Sequence, residues 1–168
     1  NIHHLIEMSQ VGNKLFMSLK RNSRINGTPV LNVYIKTAKL SKVKAEGASL
    51  VEFTNLLKTT LLDLDIIGAA KVFGSIEVDD LLAKLYGAAI MDISGSSNSF
   101  EIDAEGASVM TGFDFGGNTL KTDLSGASEI SLVVNQKLDV TASGASTVYF
   151  KGNGEEKFVR KYAECCLI

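Results

Sequence analysis

Asp63, Asp65, Asp79, Asp80, Asp103 and Asp123 are the residues of this 168-residue chain whose type and spacing first suggest chemistry. Clustered carboxylates can hold a divalent cation such as Ca²⁺ beside an Arg or Lys base. Little else in the chain could complete such a site. His3 and His4 are its two histidines, adjacent at the start, and read as solvated residues rather than metal ligands. The serines of the recurring Gly-Ala-Ser triplets therefore have no imidazole to take their proton, which a Ser-His-Asp arrangement requires. Arginine occurs at Arg21, Arg24 and Arg160, away from these aspartates. Cys165 and Cys166 are vicinal, too cramped for an ordinary disulfide, and read as apolar or free thiols. The sequence thus assigns no catalytic residue, no metal ligand and no cofactor.

The elements that position the aspartates follow from a repeat. Gly47, Gly68, Gly87, Gly106, Gly126 and Gly144 each open a Gly-Ala-Ser or Gly-Ala-Ala triplet, at spacings of 21, 19, 19, 20 and 18 residues. Four residues after each glycine stand Val51, Val72, Met91, Met110, Ile130 and Val148. Two before it stand Ala45, Ile66, Leu85, Ala104, Leu124 and Ala142, and the positions four and six before are also mostly apolar. Three before it stand Lys44, Asp65, Lys84, Asp103, Asp123 and Thr141. Apolar residues thus keep one parity through the glycine and polar residues the other, the period of strands rather than helices. A twenty-residue unit of this kind cannot bury its inner face alone, but stacked units can, with identical positions forming ladders.

The fold class read from this pattern is all-β: a parallel β-solenoid of about six clear coils between residues 41 and 150. Residues 1–168 are expected as a single domain. "KLFMSLK" (Lys14–Lys20) and "VLNVYIK" (Val30–Lys36) read as worn N-terminal coils, and "RKYAECCLI" as a seventh copy, with "ECC" where Gly-Ala-Ser is due. Leucine-rich repeats share the period but carry one short strand per unit and an asparagine ladder, and the Ca²⁺-binding nonapeptide roll needs a shorter repeat; neither fits. In the solenoid Asp103 and Asp123 fall on one ladder, about 5 Å apart. Lys44, Asp65 and Lys84 share that ladder, so it reads as a solvated face of alternating charge.

Composition narrows the function classes. Hydrophobic residues make up 45%, charged residues 21%, and the net charge is −2, without the basic excess of a nucleic-acid binder. No run of 18 apolar residues exists to span a membrane as a helix. No secretory leader is recognisable, and a start at Asn1 rather than Met leaves the compartment open.

The segments "LSKVKAEGASLVEF", "FEIDAEGASVMTGF", "LKTDLSGASEISL" and "LDVTASGASTVYF", with the lead-in "TPVLNVYIKTAKL", make the chain resemble the bacterial putative autotransporter adhesins with a head GIN domain, over roughly residues 10 to 155. The resemblance implies a right-handed parallel β-helix, a cell-envelope or extracellular location and an adhesive role. It departs from the family in the shortened earliest coils and in the "AECC" of the last copy.

A binding role needs a surface. On the outward parity around the corner stand Leu50, Ile67, Phe73, Tyr86, Ile90 and Val109, apolar where a solvated solenoid should be polar. The later coils put Glu129, Thr147, Ser125 and Ser143 there, so this candidate interaction patch belongs to the N-terminal half. The readings are, in order, a surface-binding module meeting a surface glycan or protein, a structural solenoid that self-associates, and a β-helix carbohydrate-active enzyme, whose carboxylates would hold Ca²⁺ but whose base is missing.

Overall fold

Alternating apolar and polar residues put successive side chains on opposite faces of an extended backbone. In the computed structural model the chain is extended in this way through nearly all of its repeat region. The structure describes residues 5–21, 32–153, 155–162 and 166–167, the last two stretches by backbone pairing alone. Two units divide the chain, residues 1–36 and 37–168.

The first unit is a hairpin. Strands β1 (Ile6–Val11) and β2 (Lys14–Leu19) pair antiparallel, from Ile6 opposite Leu19 to Val11 opposite Lys14. Gly12 and Asn13 link them, and a two-residue link joins only antiparallel neighbours. Of Lys14–Lys20, expected as a worn parallel coil, Lys14–Leu19 is instead a hairpin strand in a two-stranded sheet. Of Val30–Lys36, the first two residues lie outside the described ones, and 32–36 form no strand.

The second unit is the stack. Its strands are β3 (Lys42–Gly47), β4 (Leu50–Gly68), β5 (Lys71–Gly87), β6 (Ile90–Gly106), β7 (Val109–Thr111), β8 (Phe115–Leu124), β9 (Glu129–Ser143), β10 (Thr147–Lys151), β11 (Glu155–Tyr162) and β12 (Cys166–Leu167). Every pairing among them is parallel. No α-helix occurs among the described residues, so none could cross a membrane. The molecule is a β-solenoid of about six turns, as the repeat requires.

The ladders fall where the sequence puts them. Val51 pairs with Val72, Val72 with Met91, Met91 with Met110, Met110 with Ile130, and Ile130 with Val148. Ala45, Ile66, Leu85, Ala104, Leu124 and Ala142 form a second continuous ladder, buried throughout. Phe100 and Phe115 fill the middle, their rings tilted at 5.6 Å between centroids. Thr122, buried in an otherwise apolar ladder, donates its hydroxyl to the Ile102 carbonyl at 2.8 Å. At the N-terminal end β3 covers only Asp63–Gly68 of β4, and the ladder members Val51, Phe53 and Leu57 are half-buried there.

Each corner carries its own ladder. The amide after a corner glycine donates to the glycine carbonyl one coil below, from Ala69 on Gly47 (2.8 Å) to Ala145 on Gly126 (2.7 Å). Ser108, Ser128 and Ser146 are buried, and each donates its hydroxyl three residues back, to the carbonyls of Glu105, Ser125 and Ser143 at 3.1, 2.9 and 2.8 Å. These serines close the corner, as an unpaired buried hydroxyl would be costly. Asn98 and Asn118 do stack at another corner, Nδ2 to Oδ1 at 2.9 Å, a short asparagine ladder the sequence did not reveal. Near the C-terminus Tyr162 stands opposite Ser143 and Cys166 opposite Thr147. Of "RKYAECCLI", expected as a seventh copy, residues 160–162 and 166–167 pair parallel with the preceding coil. Ala163, Glu164 and Cys165 lie outside the described residues.

Candidate functional site

Two outward surfaces flank the Gly-Ala-Ser corner, one on the strand that enters it and one on the strand that leaves it. The entering surface holds most of the aspartates. Lys44, Asp65, Lys84, Asp103 and Asp123 stack in register. The charges are paired locally: Lys42 reaches Asp63 at 2.6 Å and Asp65 at 3.1 Å, and Lys121 reaches Glu101 at 2.5 Å. Those hydrogen bonds, Asp63 first, hold the Lys42 ammonium above its ordinary value. Partial burial pushes the Asp103 carboxyl above the usual 3.8, with Glu101 and Asp123 adding to it and Lys84 and Lys121 opposing. Asp79 and Asp80 lie at a different bend, where the Asp79 carbonyl accepts from Ser97 Oγ at 3.1 Å. Among the described residues no three His, Cys, Asp or Glu side chains are placed to share a metal ion. His3 and His4 lie outside the described residues, as does Cys165.

The leaving surface has a different character. Three residues after the successive glycines it carries Leu50, Lys71, Ile90, Val109, Glu129 and Thr147, each pairing with the next. Five after come Glu52, Phe73, Asp92 and Thr111 in register, then Ser131 paired with Tyr149. These alternate with buried Val72, Met91, Met110, Ile130 and Val148, so the two columns face outward. Ser75 and Ser94 follow, their hydroxyls 2.7 Å apart.

The six candidate patch residues divide between the two surfaces. Leu50, Phe73, Ile90 and Val109 lie on the leaving one, with Ile90 against Val109 and Lys71 between Leu50 and Ile90. Ile67 and Tyr86 pair with each other on the entering side, across the corner. Leu50 is 62% exposed and Tyr86 37%, while the other four are half-buried. The sequence reading missed that the apolar character continues into the later coils. Phe113 is 42% exposed, with Lys151 Nζ 4.0 Å above its ring, and Val133 and Tyr149 are half-buried on the same side. Tyr149 could have been found at the same offset as Phe73. Phe113 sits where "TGFDFGG" breaks the spacing, because Gly112–Asp114 puts three residues across from Ile93 and Ser94.

The fold is thus a parallel β-solenoid whose leaving surface mixes apolar and hydroxyl side chains. The family model described as "Putative auto-transporter adhesin, head GIN domain" matches residues 1–154, and the chain belongs to that family. Among solved structures, the fold is similar to that of a putative adhesin from Bacteroides fragilis, with a TM-score of 0.91 and 19% identity over 98% of this chain and 76% of that one. No curated protein matches the chain.

Proposed function

We propose that this protein is a non-enzymatic binding module, working at the cell envelope or outside the cell, and that its leaving surface is where it makes contact. Its adhesin family supports the class and the location. The observation that carries the choice of surface is the Ile90–Val109 pair with Phe73 and Tyr149 nearby, apolar and aromatic side chains set among Lys71, Asp92, Thr111 and Glu129. Affinity at protein surfaces usually comes from a few such anchors inside a polar rim. The partner on this reading is a surface glycan or protein. The entering surface, with Lys42 and Lys121 bonded to neighbouring carboxylates, is a solvated face of paired charges.

The test uses fluorescently labelled protein against a glycan array and against fixed cells. Binding that falls on Phe73→Ser combined with Ile90→Ser, with an unchanged melting curve, supports the reading. Binding that is unaffected by both changes moves the site elsewhere. Turnover of polysaccharides or esters abolished by Asp103→Asn would replace the binding module with an enzyme.

A further inference from the structure

From the order of side chains along the solenoid axis, we infer that the leaving surface docks on a second copy of the same chain, the two axes antiparallel. This deepens the proposed function and rests on its assignment of the contact face. Three positions after the corner the column reads Lys71, Ile90, Val109, Glu129 on four consecutive coils. Two copies placed face to face, related by a twofold axis along the strands, meet with this order reversed. Lys71 of each copy then faces Glu129 of the other, and Ile90 faces Val109. The ion pair and the apolar contact each occur twice, the self-complementarity a twofold interface demands.

The neighbouring columns agree with this register. Phe73 faces Ser131 and Asp92 faces Thr111, so no like charges oppose. Phe113, carried outward by the extra residue of its turn, meets the small Ser94 of the facing copy. The charges are also free for the purpose. Lys71 and Glu129 are exposed, and neither has an ion-pair partner among the described residues. Within one copy they stand three rungs apart, about 14 Å at the spacing of paired strands, too far to bond each other.

The size of the face sets the strength. Six rungs and about five residues of width give roughly 24 Å by 15 Å, well under the approximately 800 Å² per partner of a standard interface. The dimer is therefore weak in dilute solution and favoured where copies are crowded, as on a surface. The apolar pairs supply affinity, and the charges select the antiparallel register against the parallel one.

Sedimentation velocity of the full chain from micromolar to near-millimolar concentration tests this, with melting curves confirming that each variant folds. The parent is expected to shift toward a dimer as concentration rises. Lys71→Glu and Glu129→Lys, each alone, place like charges at both contacts and should weaken association by roughly tenfold or more. An equimolar mixture of the two variants restores opposite charges at both contacts in the mixed dimer and should recover the parent's behaviour. A parent that stays monomeric throughout overturns the inference. So does a dimer indifferent to the single changes, or a mixture that fails to recover. Sedimentation reads self-association alone, while glycan or cell binding by Phe73 and Ile90 is read on the array and on cells, so failure of one reading is told apart from failure of the other.

Discussion

Replacing Gly106 with alanine tests the stack where one corner glycine closely overlies another, and the same change at Gly47 provides the control. Both glycines have positive φ, +92° and +72°. An L-residue in left-handed backbone costs about 1–2 kcal/mol, and both variants bear that cost. They differ in what the new methyl meets. At Gly47, on the first coil, no heavy atom lies within 4 Å. At Gly106 the Cβ would stand 2.5 Å from the Gly87 carbonyl oxygen and 3.1 Å from its Cα, where real Cβ atoms stay beyond 3.0 Å. The two coils must part there by roughly 0.5 Å, stretching the 2.7 Å bond from the Ala107 amide to that same oxygen beyond its best range. A weakened hydrogen bond of about 1 kcal/mol and some angle strain bring the total to roughly 2.5–4.5 kcal/mol. In a domain of this size each kcal/mol lowers the melting temperature by about 2–4 °C. Gly47→Ala should therefore lose a few degrees and Gly106→Ala about two to three times as much, read by circular dichroism or calorimetry. Equal losses at the two sites would refute the reasoning, because the difference comes only from the coil beneath.

Two further predictions concern charge. Ile130→Asp puts a carboxylate with no partner between Met110 and Val148 in the closed interior, a burial expensive enough to exceed the marginal stability of a domain. Soluble expression should collapse, whereas Lys151→Asp, at the exposed end of β10, should express normally. The Asp103 carboxyl is raised above its ordinary 3.8, so the folded chain holds that proton more tightly than the unfolded one. Its contribution is unfavourable at neutral pH and diminishes as pH falls through the raised value toward 3.8. Asp103→Asn should accordingly melt above the parent at pH 7, with the gap closing in acid; a gap that widens in acid would contradict the assigned direction.

The interior was legible in the sequence because stacking imposes the same requirement six times. Met110 must suit Met91 on one side and Ile130 on the other, so parity, size and the glycine spacing repeat in the text of the chain. The hairpin was less legible although its signal was present. Gly12-Asn13 between two alternating segments marks a tight antiparallel turn, but the coil frame fitted to the later repeats drew attention to Lys14–Lys20 as a strand and away from its partner. Local extra residues hid Phe113, since counting from the glycine fails once Gly112–Asp114 bulges.

The outer face follows a different rule. Solvent accepts almost any polar residue, and one half-exposed apolar side chain costs little, so folding leaves the sequence at Lys71, Ile90, Val109 and Glu129 nearly unconstrained. An internal requirement would have produced a ladder of like residues there, as it does one position inward at Val72, Met91, Met110 and Ile130. The column runs instead from a cation through two apolar residues to an anion, an order with no meaning to a coil that touches only its two neighbours. Its symmetry about the Ile90–Val109 boundary becomes meaningful only when the whole column is read at once by a second surface. The charge-reversal mixture is accordingly a test of what lies outside the fold: it leaves every internal ladder intact and changes only what a facing molecule would meet.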